Sequence, residues 1–181
     1  LTTQEQQRGV AAGGVHVFVQ VLEQSGVRPE VIVCLSHSST QATTALLVGD
    51  VAPVGIVGIA GAAAAKLAEA QVRIDPIELA PGRFLATHNR FLVAEEADEA
   101  AITQAVGALV GEGAEVLVAS AAFGVDNTTS EETVRESGRE AGLLATCGHE
   151  ITRLYGLQTR TRTAVINASI LPKMNATATM T

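Results

Sequence analysis

The stretch Pro53-Val54-Gly55-Ile56-Val57-Gly58-Ile59-Ala60 decides the fold class, because no polar side chain interrupts it. A strand with one wet face alternates apolar and polar residues. A continuous apolar run instead reads as a strand buried on both faces, the habit of parallel sheets covered by helices. Glu115 to Ser120 (EVLVAS) repeats the pattern, and Val31 to Leu35 (VIVCL) and Leu143 to Cys147 (LLATC) are shorter versions of it. Gly55, Gly58 and Gly61 are spaced G-x-x-G-x-x-G, which matches no phosphate-binding loop and points to close packing.

Between these runs the spacing is helical. From about Gln4 to Ser25, Val10, Val17, Val21 and Leu22 fall near one face, and Gly26 is a natural stop. Thr40 to Val48 reads as a helix halted by Gly49-Asp50, Gly61 to Ala70 as an Ala-rich helix without a good cap, and Ala97 to Glu112 as an amphipathic helix. Thr128 to Gly142 is a charged helix with Thr129 or Ser130 as its cap. Arg160 to about Thr179 is a last helix, kinked or ended by Pro172. Val72 to Ala80 and Arg83 to Val93 alternate apolar and polar residues around the turn signal Pro81-Gly82, and read as a hairpin. The expected fold is therefore α/β: a mostly parallel sheet with flanking helices and a central β-hairpin, as one domain over residues 1–181.

The chain has 181 residues, 47% hydrophobic and 17% charged, which excludes a disordered or highly charged tail protein. Aromatics are 3% with no Trp, so the core must be built from Val, Ile, Leu and Ala. A net charge of −7 without a Lys/Arg cluster excludes a nucleic-acid surface. No apolar run approaches the roughly 18 residues of a membrane span. The first residues carry no secretory leader, so a soluble, cytoplasmic protein is expected. Cys34 and Cys147 are isolated, each inside an expected strand, and read as buried thiols in a reducing compartment.

In open α/β sheets ligands bind where the carboxyl ends of strands meet the following loops. That rule selects SHSSTQATT (Ser36 to Thr44), AAFGVDNTTS (Ala121 to Ser130) and GHEITRLYG (Gly148 to Gly156). One hydroxyl caps a helix, but the first segment offers six, and a helix start flanked by hydroxyls can also hold a phosphate or carboxylate. His37 sits where an acid–base group or anion-binding donor would sit, or serves structure alone. Asp126-Asn127-Thr128-Thr129 is a turn leading into a helix, and Asp126 could hold a water or a metal. His149-Glu150 is a second loop histidine beside a carboxylate, too few ligands for zinc, so no metal site is expected. Arg160 and Arg162 near a helix start oppose the dipole, which suggests an anionic partner; a solvated pair is the alternative.

Three stretches taken together resemble the hydantoinase/oxoprolinase family. SHSSTQATTALLVGD is similar to its HGTTxATNALLE segment, placing His37, Ser38, Ser39, Thr40 and Thr43 on that motif. AAFGVDNTTSEETV resembles its F-S-x-x-(N/D)-P-x-x-E turn and helix, with Thr128 where Pro is usual. GHEITRLYGLQTRTRTAVINASILPKM resembles its S-H-E…R-T-x-T-x-x-N-A-x-L-x-P block, with His149, Glu150, Arg160, Thr161, Thr163, Asn167, Ala168 and Pro172 on matching positions.

The resemblance implies part of an ATP-dependent hydrolase acting on cyclic amides such as hydantoin or 5-oxoproline, built on an actin-like, ribonuclease-H-like ATPase subdomain. It implies ATP with a divalent cation, a small-molecule substrate, and the rest of the ATPase or a partner subunit, and leaves a homo-oligomer open. His37, Asp126 and His149 are then the catalytic candidates, and Ser38, Ser39, Thr40, Thr43 and Arg160 the substrate- or phosphate-binding ones. The family's acidic glycine loop, DxGGTxTD, has no counterpart in GVAAGGVHVF. A partial ATPase subdomain is therefore expected, binding nucleotide poorly and turning over nothing alone. The rival expectation is a non-catalytic α/β module for a small ligand or a protein partner; whether the gene encodes that loop and a second ATPase half discriminates the two.

Overall fold

The structure, a computed structural model, describes residues 9–34 and 40–179. The described residues divide into one unit up to Thr44 and from Lys173, and another from Ala45 to Pro172. In the first unit, helix α1 (Gly9–Ser25) ends at Gly26, whose φ of 67° is open to glycine at no steric penalty. Positions 4–8 of the expected helix lie outside the described residues.

The expected strand VIVCL does not form. Pro29–Val31 is a short 3-10 turn, residues 32–34 take no regular structure, Val33 is 99% exposed, and Leu35 lies outside the described residues. Cys34 is accordingly exposed rather than buried. An apolar run becomes a strand only where neighbours cover it, and nothing in the described residues covers this one. Helix α2 (Gln41–Val48) follows, stopped at Gly49 with φ 72° as expected.

The second unit is organised by β1 (Val54–Ala60), buried at every position. It pairs in parallel with β4 (Thr87–Val93) on one side and β5 (Val116–Ala121) on the other, and β5 pairs in parallel with β6 (Leu144–Cys147). The sheet order is β4-β1-β5-β6. The hairpin is smaller than expected: β2 (Ile77–Ala80) and β3 (Arg83–Leu85) pair antiparallel, while 87–93 joins the main sheet. Alternation fits either partner, and the β4 backbone gains more by extending a buried sheet than by lengthening an isolated ribbon.

Alternate residues of β1 serve two cores, so both faces are covered. Val54 and Ile56 pack with Val116, Val118, Leu85, Ala164 and Val165, beneath helix α7 (Leu157–Ser169). Val57 and Ile59 pack with Leu117, Ile102, Val106, Leu109 and Val134, beneath α4 (Glu99–Gly111) and α5 (Thr129–Glu140). The glycine spacing does reflect packing: a Cβ on Gly58 would sit 2.3 Å from Val72 Cγ2, so only glycine lets α3 (Ala65–Val72) lie this close. Instead of one final helix, α7 is followed by α8 (Leu171–Thr179), with Pro172 in its first turn. No helix among the described residues is long and apolar enough to cross a membrane.

Candidate functional site

The carboxyl ends of β5 and β6 are held by a residue that looks unremarkable in sequence. Glu131 stands in the first turn of α5, where acids complement the helix dipole, yet it is fully buried. Its Oε1 accepts from the Ala121 N–H at 2.7 Å, and its Oε2 accepts from the His149 backbone N–H at 3.0 Å and from His149 Nδ1 at 2.6 Å. A carboxylate only accepts, so Nδ1 carries a proton, and in the neutral ring Nε2 then keeps its lone pair. Gly124 makes room for this: a Cβ there would lie 2.4 Å from Glu131 Oε1, an atom its hydrogen bonds prevent from moving.

Arg160, in the first turn of α7, is equally buried. Its Nη1 donates to Leu154 O at 2.8 Å and, more weakly, to Tyr155 O, while Nη2 donates to Ala121 O; its Nε finds no partner. The Tyr155 hydroxyl in turn donates to Asp126 Oδ1 at 2.8 Å, which raises the phenol above its ordinary value. Beside this, Ser120 Oγ lies 2.6 Å from Thr161 Oγ1, which donates to Leu157 O. Gly148 sits among them: a Cβ on it would be 3.3 Å from Glu131 Oε1, 3.4 Å from Ser120 Oγ and 3.5 Å from Arg160 Cγ.

A set of hydrogen bonds therefore ties these loops together: Arg160 holds the Leu154, Tyr155 and Ala121 carbonyls, Glu131 holds the Ala121 N–H and His149, and the Tyr155 hydroxyl reaches Asp126. It brings together Asp126, His149 and Arg160, which the strand-end rule selected on separate segments. Arg162 is exposed. Glu150 faces away: its carboxylate accepts from the Cys147 N–H at 3.1 Å and pairs with Arg135, tying the short helix α6 (Gly148–Ile151) to α5. Neither Thr129 nor Ser130 caps α5; Asn127 Oδ1 instead accepts from the Thr129 N–H at 3.1 Å. Thr40 and Thr43 are exposed at the start of α2, in the other unit, and His37, Ser38 and Ser39 lie outside the described residues. Neither Glu131 nor Tyr155 was among the candidates; the signal for Glu131 was the final Glu of the F-S-x-x-(N/D)-P-x-x-E pattern, and that for Tyr155 was its being the only tyrosine, placed in a selected loop.

Glu131, Cys147 and His149 each place a ligand atom within 4.8 Å of the others. They do not fit the divalent cation that accompanies ATP, which takes oxygen ligands. Both Glu131 oxygens are engaged by N–H groups, and burial pushes the Cys147 thiol up to about 12.

Comparison with solved structures gives the fold. The chain is similar to an ATP-dependent caprolactamase from Pseudomonas jessenii at 22% identity and a TM-score of 0.57, over 97% of this chain and 28% of that one. It is also similar to nucleotide-free acetone carboxylase at 16% identity and a TM-score of 0.52, over 88% of this chain and 28% of that one. The chain thus spans just over a quarter of the length of either. No curated protein matches it. The family described as the hydantoinase/oxoprolinase N-terminal region matches residues 1–142, which include β1, β4, β5 and the Glu131 helix; the chain belongs to that family.

Proposed function

We propose that this chain supplies part of the reaction cleft of an ATP-dependent enzyme that opens cyclic amides, and that the loops after β5 and β6 are its share of that cleft. The observation that carries the reading is the contact of His149 Nδ1 with the buried Glu131 carboxylate, which in the neutral ring leaves Nε2 free. A neutral imidazole fixed in one tautomer by a buried carboxylate is suited to take a proton from water, or return one to a ring nitrogen, at Nε2. His149 is the acid–base group in this reading, and Glu131 positions it. Asp126 fixes Tyr155 at the rim, and Arg160 holds the 154–155 backbone and the end of β5 in register.

Both similar structures are named for ATP-dependent reactions. ATP, when bound, would make the amide carbonyl electrophilic enough for water to attack. His37, Ser38, Ser39, Thr40 and Thr43 are the proposed contacts to phosphate or substrate, on the strength of the motif they match. The remainder of the ATPase, or a partner subunit, would supply the acidic glycine loop and the cation. In the assembled protein, ATP and hydantoin should yield ADP and the ring-opened product. His149→Ala should lower kcat about 100-fold or more. An unchanged kcat removes His149 from the chemistry.

A further inference from the structure

A recess of about 190 Å³ opens beside the strand ends, between α3, the loop after β5 and the start of α7. Leu67, Ala68, Gln71, Phe123, Tyr155 and Leu157 form most of its wall. We infer that it is a binding pocket for the ring of a small neutral cyclic amide. The inference rests on the proposed function and narrows its substrate class.

Four observations converge on that ligand. The recess is smaller than the roughly 300–1,000 Å³ typical of drug-sized ligands, so it fits a single ring and not a peptide. No charged side chain lines it, which disfavours a carboxylated substrate such as 5-oxoproline and any phosphate. Two of the chain's five Phe and Tyr rings are presented here, Phe123 67% and Tyr155 68% exposed. Both are held in place. Phe123 sits at φ 57°, a conformation that disfavours a side chain, with its carbonyl accepting from Asp126 N–H and Asn127 N–H, and Tyr155 is pinned by Asp126.

The fourth observation is Gln71, half-buried, whose side-chain amide makes no hydrogen bond with another described residue. A primary amide presents C=O and N–H side by side, and so does the cis amide of a lactam. The two can pair by two parallel hydrogen bonds while the methylenes of the ring lie against Leu67, Leu157 and the aromatic rings.

Tyr155 is the only tyrosine and there is no tryptophan, so its emission reports on this recess alone. Titrating δ-valerolactam into the purified 181-residue chain should change tyrosine emission saturably, with an affinity on the order of millimolar for so few ligand atoms. Gln71→Ala and Leu67→Asp, both folded by circular dichroism, should weaken it about tenfold or more, and 5-oxoproline should give no saturable change. Equal response to 5-oxoproline, unchanged binding in both variants, or no saturable change overturns the inference. So does a concentration-dependent signal accompanied by dimer mass, which makes the recess an interface between copies. Kinetics of the assembled enzyme separate this inference from the reading it rests on. If valerolactam is opened and Leu67→Asp leaves KM unchanged, the pocket fails and the proposed function stands. If no cyclic amide is opened while the titration saturates, the proposed function fails and the pocket stands.

Discussion

Replacing Glu131 by Gln changes one atom and tests the whole strand-end arrangement. The carboxylate accepts three N–H bonds of 2.6–3.0 Å with no exposure to solvent. A Gln amide can present its oxygen to the two His149 donors, but its NH2 then faces the Ala121 N–H, donor against donor. One charge-assisted bond is lost and a buried N–H is left unsatisfied, together about 2–3 kcal/mol. In a chain of this size that lowers the melting midpoint by roughly 4–12 °C. Glu131→Ala orphans all three donors and opens a cavity, for about 3–5 kcal/mol. The neighbouring Glu132 is exposed, and Glu132→Gln should stay within about 0.5 kcal/mol of the native chain. Urea denaturation followed by far-UV circular dichroism measures all three. A Glu131→Gln variant as stable as Glu132→Gln would show that the buried network does not hold the strand ends.

Three further outcomes follow from the same geometry. Phe123→Gly should leave stability unchanged or raise it by up to about 1 kcal/mol, because φ 57° suits glycine and the ring is largely exposed; a denaturation midpoint lowered by more than that would refute the strain. Gly124→Ala drives a methyl into Glu131 and should destabilise by about 2 kcal/mol, whereas Gly107→Ala, in open space within α4, should stabilise by about 0.5–1 kcal/mol; equal signs in thermal melts would contradict the packing. Cys147 is neutral in the folded chain up to about 12, against 9.0 for its ordinary value, so its contribution is present below pH 9 and lost as pH rises through 12. Cys147→Ala should flatten that alkaline decline, and in the native protein a thiol reagent at pH 8 should modify Cys34 alone, with both cysteines reacting after denaturation.

What the sequence reveals of this fold follows from which patterns have one explanation. β1 and β5 are legible because an apolar run bounded by turn signals and long enough for a strand has few other homes. VIVCL has the same composition and forms no strand, because composition does not say whether a neighbour will cover it. β4 shows why alternation does not name a partner: THNRFLV fits a hairpin as well as the parallel edge it takes. At the site, His149 and Asp126 are legible from their place after strands. Composition does not mark Glu131, because SEETV offers four carboxyl or hydroxyl groups near the start of the helix; only the Glu that ends the F-S-x-x-(N/D)-P-x-x-E pattern falls on it. The burial of Arg160 is equally hidden, since its partners are backbone carbonyls that have no sequence signature.

The role given to His149 depends on where its proton sits. Nitrogen-15 NMR of the 181-residue chain, with His149 assigned by the signal lost in His149→Gln, reads that position directly. At a pH where the ring is neutral, the account predicts a proton on Nδ1, donated to Glu131, and an unprotonated Nε2. The same ring should lose its fixed tautomer in Glu131→Ala. A neutral His149 that carries its proton on Nε2 in the native chain would contradict the account.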